Sequence, residues 1–178
     1  DYFQSVLENP PKEYLIPLLR DGKPETFEGY LTDALSREAV AFVKRHAQDP
    51  FFLYLAYNAP HMPLQAPDKY LDRFASITDP KRKTYAAMIS AVDDGVGELL
   101  AALADAKIDD RTLIVFLSDN GGPIGEKSNG SSNLPLRAGK GSVFEGGIRV
   151  PFAMRWKGTL PAGQEYDKPI SSLDIFPM

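Results

Sequence analysis

The chain has 178 residues, 43% of them hydrophobic and 25% charged, with a net charge of −4 and no cysteine. These values fit one globular domain with a sizeable core, and they exclude the basic footprint of a nucleic-acid binder as well as disulfides, thiolate zinc sites and cysteine nucleophiles. No apolar run approaches the roughly 18 residues of a transmembrane helix.

Residues 1–28 are weakly patterned, but "LLRDGKPE" (18–25) carries an Asp-Gly turn signal that predicts a hairpin. Thr32 and Asp33 are placed to cap a helix running to about Gln48, with Leu35, Ala39, Phe42 and Val43 at helical spacing. "FFLYLAY" (51–57) has the composition of a buried strand. Asp79-Pro80 opens a long helix, Asp79 as cap and Pro80 at the first helical position, with Met88, Val92, Val96, Leu99 or Leu100, and Leu103 along its apolar stripe. "TLIVFLS" (112–118) predicts a second buried strand and "PFAMRW" (151–156) a third. Continuous rather than alternating hydrophobicity, interrupted by a long helix, predicts an α/β fold with a largely parallel sheet covered by helices on both faces. The chain starts at Asp1 and stops in "SSLDIFPM", inside what reads as a continuing segment. The expectation is therefore an internal piece of a longer protein, for which a missing signal peptide says nothing about secretion.

Two polar clusters follow the strands: "NAPHMP" (58–63) after the first and "DNGG" (119–122) after the second. In open α/β sheets ligands gather beyond the carboxyl ends of parallel strands, so parallel strands would bring His61, Asp119 and Asn120 to one edge. Asp119 and Asn120 offer hard oxygen donors of the kind calcium or magnesium prefers, and Gly121 and Gly122 let the backbone turn beside an ion. An ordinary Asx turn is the competing reading. Calcium takes roughly six to eight oxygens, so these two cannot complete a site.

His61, between Pro60 and Pro63, is held in an extended loop, which suits a proton donor to a leaving group or a donor to an anion. A loop histidine bonded to a nearby carbonyl is the bland alternative. His46 falls at the end of the first helix and complements its C-terminus. Lys140 stands between Gly139 and Gly141, where the main chain can approach a ligand closely. A phosphate-binding loop would need glycine at 134 and Ser or Thr at 141, and the chain has Leu134 and Gly141, so nucleotide binding is weakly supported. A lysine contacting a tetrahedral oxyanion in another geometry stays open. Asp93 and Asp94 lie within the long helix, where capping or a salt bridge with a neighbouring loop explains them better than a metal. Lys81-Arg82-Lys83 reads as a solvated first turn, unfavourable to the helix dipole.

Taken in order, "PFFLYLAYNAPHMP", "YAAMISAVDDGVGELLAAL", "TLIVFLSDNGG", "LPLRAGKGSVFEGGIRVP" and "SSLDIFP" resemble the type I sulfatases of the alkaline-phosphatase-like superfamily, over about residues 28 to 177. Within that family they look most similar to the arylsulfatase B, or N-acetylgalactosamine-4-sulfatase, group. The resemblance implies that residues 1–178 are the central to C-terminal part of a sulfatase catalytic domain. It implies Asp119 and Asn120 as Ca2+ ligands, His61 as the donor that protonates the leaving alcohol, and His61 and Lys140 as sulfate-binding catalytic residues. The implied substrate is a sulfated carbohydrate or an aryl sulfate, and the implied location is periplasmic, secreted or lysosomal. Family members use a formylglycine nucleophile made from Cys or Ser in a C/S-x-P-x-R motif. This chain has no cysteine, and "SNLPLR" (132–137) has one residue too many before the proline. Nucleophile and remaining metal ligands are therefore expected upstream. A phosphodiesterase or phosphonate hydrolase of the same superfamily and a non-catalytic binder of sulfated glycans are the competing readings.

Overall fold

The computed structural model describes residue 2, residues 18–125 and residues 128–177. Glu126 and Lys127, in the Gly/Ser/Asn-rich sequence 125–133, lie outside them, as does most of the weakly patterned start of the chain. The Asp-Gly signal forms the expected hairpin: β1 (Leu18–Arg20) pairs antiparallel with β2 (Lys23–Glu25). Asp21 (φ 52°) and Gly22 (φ 76°) both take the left-handed conformation that a tight two-residue connection requires. The Arg20 guanidinium forks onto both carboxylate oxygens of Glu38 at 3.0 and 2.9 Å, holding the hairpin beside the first helix.

That helix, α1 (Leu31–His46), follows the predicted periodicity and ends on the basic residues Lys44, Arg45 and His46, which complement its dipole. Its capping differs from expectation. Tyr30 is the N-cap and supplies no side-chain bond, while Thr32 is buried and Asp33 is drawn elsewhere. The Asp33 carboxylate accepts from Lys69 Nζ and from the Tyr70 hydroxyl, both at 2.7 Å. Burial, followed by this bond to Asp33, pushes the Tyr70 phenol up to about 12. Tyr70 belongs to α2 (Asp68–Leu71), a single turn continued by a 3₁₀ turn at Asp72–Phe74.

The long helix α3 (Pro80–Asp105) begins as the Asp-Pro pair dictates, with Asp79 Oδ1 accepting from Arg82 N at 2.6 Å. Asp79→Ala removes that acceptor and is expected to cost about 1 kcal/mol, the usual worth of an N-cap, read as a lowered urea midpoint at unchanged slope. The helix packs on α1. Gly95 marks a close approach, since a Cβ there would run into the Ser36 hydroxyl. Tyr2, Tyr30, Leu31, Ala59, Tyr70, Ala87, Met88, Ala91 and Val92 form one core, and Val43, Ala102, Leu103 and Ile108 a second. Asp94 is not a metal ligand but half of a two-pronged ion pair with Arg73 (2.8 and 2.7 Å), which holds its carboxyl below the usual range.

The strand expectations need correction. Residues 51–57 form no strand pairing among the described residues. Their side chains alternate: Phe51, Leu53, Leu55 and Tyr57 are half-buried, whereas Phe52 and Tyr54 are 85% and 79% exposed. The Ser36 and Tyr57 hydroxyls, 2.8 Å apart, seat one face of this run on the helices. β3 (Ile114–Leu117) pairs with β4 (Phe152–Arg155) antiparallel, in the register Ile114↔Arg155 to Leu117↔Phe152. The described residues thus hold two two-stranded antiparallel sheets and no parallel pair. Apolar continuity in a sequence reports a need for cover on both faces and says nothing about which strand supplies the pairing.

Candidate functional site

Asp119 and Asn120 leave the end of β3 as a loop held by its glycines. The Gly121 N–H donates to the Gly147 carbonyl at 3.0 Å, and a Cβ on Gly121 would be driven into the Gly146 carbonyl oxygen. Gly146 and Gly147 sit in α4 (Glu145–Ile148), a single turn. Gly122 is held harder. Its N–H donates to Asn133 Oδ1 and its carbonyl accepts from Asn133 Nδ2, both at 2.8 Å. The same carbonyl accepts from the Lys140 N–H at 3.1 Å. Gly139, beside Lys140, has no room for a Cβ because the Gly122 carbonyl and the Asn133 amide fill that space. The metal-type loop and the lysine loop are therefore one packed unit, as close backbone approach through glycine allows.

The chemistry-bearing side chains take little part in this network. Asp119 and Lys140 are exposed, and among the described residues neither side chain carries an ion pair or hydrogen bond. Asn120 uses only its amide nitrogen, donating to the Gly121 carbonyl at 3.1 Å, which leaves its side-chain oxygen free. The Ser131 hydroxyl, against Gly122, is buried without a partner. A free carboxylate and a free carboxamide oxygen on one rigid loop fit a hard cation, which binds oxygen donors. They are two of the several needed, and no group of three or more His, Asp or Glu arranged for a metal exists among the described residues.

His61 stands in a loop tied at three points. Its carbonyl accepts from the Tyr2 hydroxyl at 2.9 Å, its N–H donates to the Asn58 carbonyl at 2.9 Å, and the Pro60 carbonyl accepts from Asn129 Nδ2 at 3.3 Å. Ring atom Nδ1 lies 2.8 Å from the Met62 carbonyl oxygen. A carbonyl only accepts, so Nδ1 carries a proton, and Nε2 is the nitrogen left to work on a ligand.

Asn129 connects the histidine loop to the others. It belongs to residues 128–133, whose far end is Asn133, and its own Oδ1 accepts from the Ser131 N–H at 3.1 Å. A Cβ on Gly130 (φ 88°) would crowd the backbone of Lys81 and Arg82, while the Arg82 guanidinium donates to the Gly130 carbonyl at 2.8 Å. Arg82 is exposed, as expected from its place in a basic first turn, and it also anchors this loop. Tyr2, Arg82, Asn129 and Asn133 were missed in the sequence because each acts through backbone groups distant along the chain. The one available signal was the pair of asparagines flanking Gly-Ser-Ser, residues that readily substitute for peptide groups.

This geometry can be set beside known proteins. The Sulfatase family profile matches residues 1–178. An N-acetylgalactosamine-6-sulfatase of Canis lupus familiaris is 37% identical over 155 residues, 85% of this chain and 28% of the relative. The uncharacterized sulfatase YdeN of Escherichia coli (strain K12) is 37% identical over 186 residues, 99% of this chain and 32% of the relative. The crystal structure of Ps i-CgsB in complex with k-i-k-neocarrahexaose has a TM-score of 0.92 at 48% identity, covering 99% of this chain and 42% of that one. The chain thus spans about a third of the length of these curated relatives, and its fold is that of part of a sulfatase domain. The arylsulfatase B group is not singled out among the relatives. A profile match across the whole chain, with relatives well above 30% identity over most of it, establishes that the chain belongs to the sulfatase family.

Proposed function

We propose that the protein containing this chain hydrolyses sulfate esters, with Asp119 and Asn120 as calcium ligands and His61 and Lys140 as the residues that act on the ester. The observation that carries the reading is the pairing of a free oxygen-donor loop with a glycine-flanked lysine through Gly122, together with membership of the sulfatase family. Lys140 binds sulfate oxygens and stabilises negative charge as it grows in the transition state. His61, with Nδ1 fixed on the Met62 carbonyl, uses a protonated Nε2 to donate to the departing alcohol oxygen. When bound, calcium would polarise the sulfuryl group and offset its charge. The formylglycine nucleophile and the other metal ligands are assigned to parts of the protein outside this chain. The chain is then the central to C-terminal part of the catalytic domain. There residues 51–57 and β3 take their places in a parallel sheet with helices on both faces, covering Phe52 and Tyr54.

A sulfated carbohydrate is the favoured substrate class, supported by likeness to a structure solved with an oligosaccharide, k-i-k-neocarrahexaose, and to an N-acetylgalactosamine-6-sulfatase. Such substrates are met outside the cytosol or in lysosomes, which is where we place the protein. No described helix is long and apolar enough to cross a membrane.

The test offers the full-length, matured protein an aryl sulfate and an aryl phosphodiester, with and without a calcium chelator. Chelation is expected to abolish release from the sulfate, and Asp119→Ala to weaken calcium binding about tenfold or more, because affinity follows the charge of the ligand set. Preference for the phosphodiester, or sulfate turnover indifferent to chelation and to Asp119→Ala, would overturn the assignment.

A further inference from the structure

Asn133 has no place in the chemistry just described, yet its side chain makes more bonds to the site's framework than any candidate residue does. Its Oδ1 accepts from the Gly122 N–H at 2.8 Å. Its Nδ2 donates to the Gly122 carbonyl at 2.8 Å and to the Ala138 carbonyl at 3.1 Å. The orientation of the amide is fixed by its partners, one N–H and two carbonyls, which only one of the two flips can satisfy. Toward Gly122 it behaves as a second strand would, taking both backbone groups of a residue that belongs to no sheet.

The two segments it joins carry different parts of the site. Gly122 ends the loop of Asp119 and Asn120, and Ala138 stands two residues before Lys140. Ala138 has φ 63°, a left-handed conformation uncommon for a residue with a Cβ, and the bond from Asn133 holds its carbonyl in place. On its other side the lysine loop is held by the Gly146 N–H, which donates to the Arg137 carbonyl at 2.8 Å. Removing the Asn133 amide would leave the Gly122–Lys140 backbone bond as the direct hydrogen bond between the two loops.

We infer that Asn133 is a positioning residue that sets where Lys140 stands relative to Asp119 and Asn120, so that one sulfuryl group can meet both. The inference rests on the reading of Lys140 as the sulfate-binding lysine. It makes Asn133 a determinant of rate that touches no substrate.

The experiment is a double-mutant cycle on the full-length, matured protein, measuring kcat and KM for an aryl sulfate, calcium affinity and the thermal midpoint. Asn133→Ala is expected to lower kcat on the order of 10–100-fold, the scale of a misplacement of about 1 Å, while calcium affinity stays within about threefold of the parent. In a Lys140→Ala background the same change is expected to lower kcat by less than about threefold, since a residue acting through Lys140 has nothing left to position. Asn133→Asp keeps the size and the acceptor but loses both donors, and is expected to reproduce the loss, which keeps the test valid should Asn133→Ala fold poorly. Losses that multiply in the double variant, or Asn133 variants with parental kcat, would overturn the positioning role alone. A parental rate in Lys140→Ala would instead overturn the sulfate reading of that lysine, and the role of Asn133 with it.

Discussion

Lys140→Ala is expected to lower kcat/KM for a sulfate ester by roughly 10²–10³-fold, the cost of removing one fixed donor from developing negative charge. The size follows from how the lysine is mounted. Its N–H is bonded to the Gly122 carbonyl, and its neighbour Gly139 is buried where a Cβ would strike that carbonyl and the Asn133 amide. Gly141 follows in a left-handed conformation (φ 85°). The backbone beneath the ammonium is thus fixed before substrate arrives, while the side chain has no ion pair to give up. A fixed charge that is not already neutralised acts on the transition state with little reorganisation, and that is the condition under which such groups contribute most. Lys140→Arg preserves charge but replaces a compact ammonium by a wide planar fork, so it is expected to recover less than a tenth of the lost rate. Full recovery by arginine would show that long-range charge, and not a fitted contact, is what the site requires. That outcome would remove the reason for the glycines on either side.

The features legible in the sequence were those decided locally. The Asp21-Gly22 turn needs only two residues that tolerate positive φ, and the α3 start needs only Asp79 and Pro80. The capping of α1 was misread because Asp33 had a stronger offer: a buried phenol at Tyr70 and an ammonium at Lys69, both more than thirty residues away. The strand expected at residues 51–57 finds no pairing partner among the described residues for a related reason. Their hydrophobicity states that both faces are to be covered, but the helices cover one face only, through Ser36 and Tyr57. The candidate site divides the same way. Asp119, Asn120 and Lys140 announce themselves by residue type and by their glycines, and the structure joins their loops through Gly122. Asn133 could not be found by type, because an asparagine in a Gly/Ser loop is what any turn would use. Its role exists only when the Gly122 and Ala138 carbonyls face it.

His61→Ala is expected to cost on the order of 10²–10⁴-fold, the range of a positioned general acid, but only for sulfate esters of ordinary alcohols such as sugar hydroxyls. A nitrophenolate departs without a proton, so a nitrophenyl sulfate should lose little. The contrast comes from the ring's fixed tautomer. With Nδ1 committed to the Met62 carbonyl, Nε2 is a donor in the protonated ring and an acceptor in the neutral one. Assistance to an alkoxide is therefore available to the protonated form alone. The loop that carries the ring is anchored by the Tyr2 hydroxyl and by Asn129, and neither bond uses the imidazole, so the variant deletes the acid and leaves its mounting in place. Equal losses for sugar and nitrophenyl esters would mean that the imidazole binds the sulfate and does not protonate the leaving group. A loss graded by the basicity of the leaving alcohol is the pattern that proton donation alone produces.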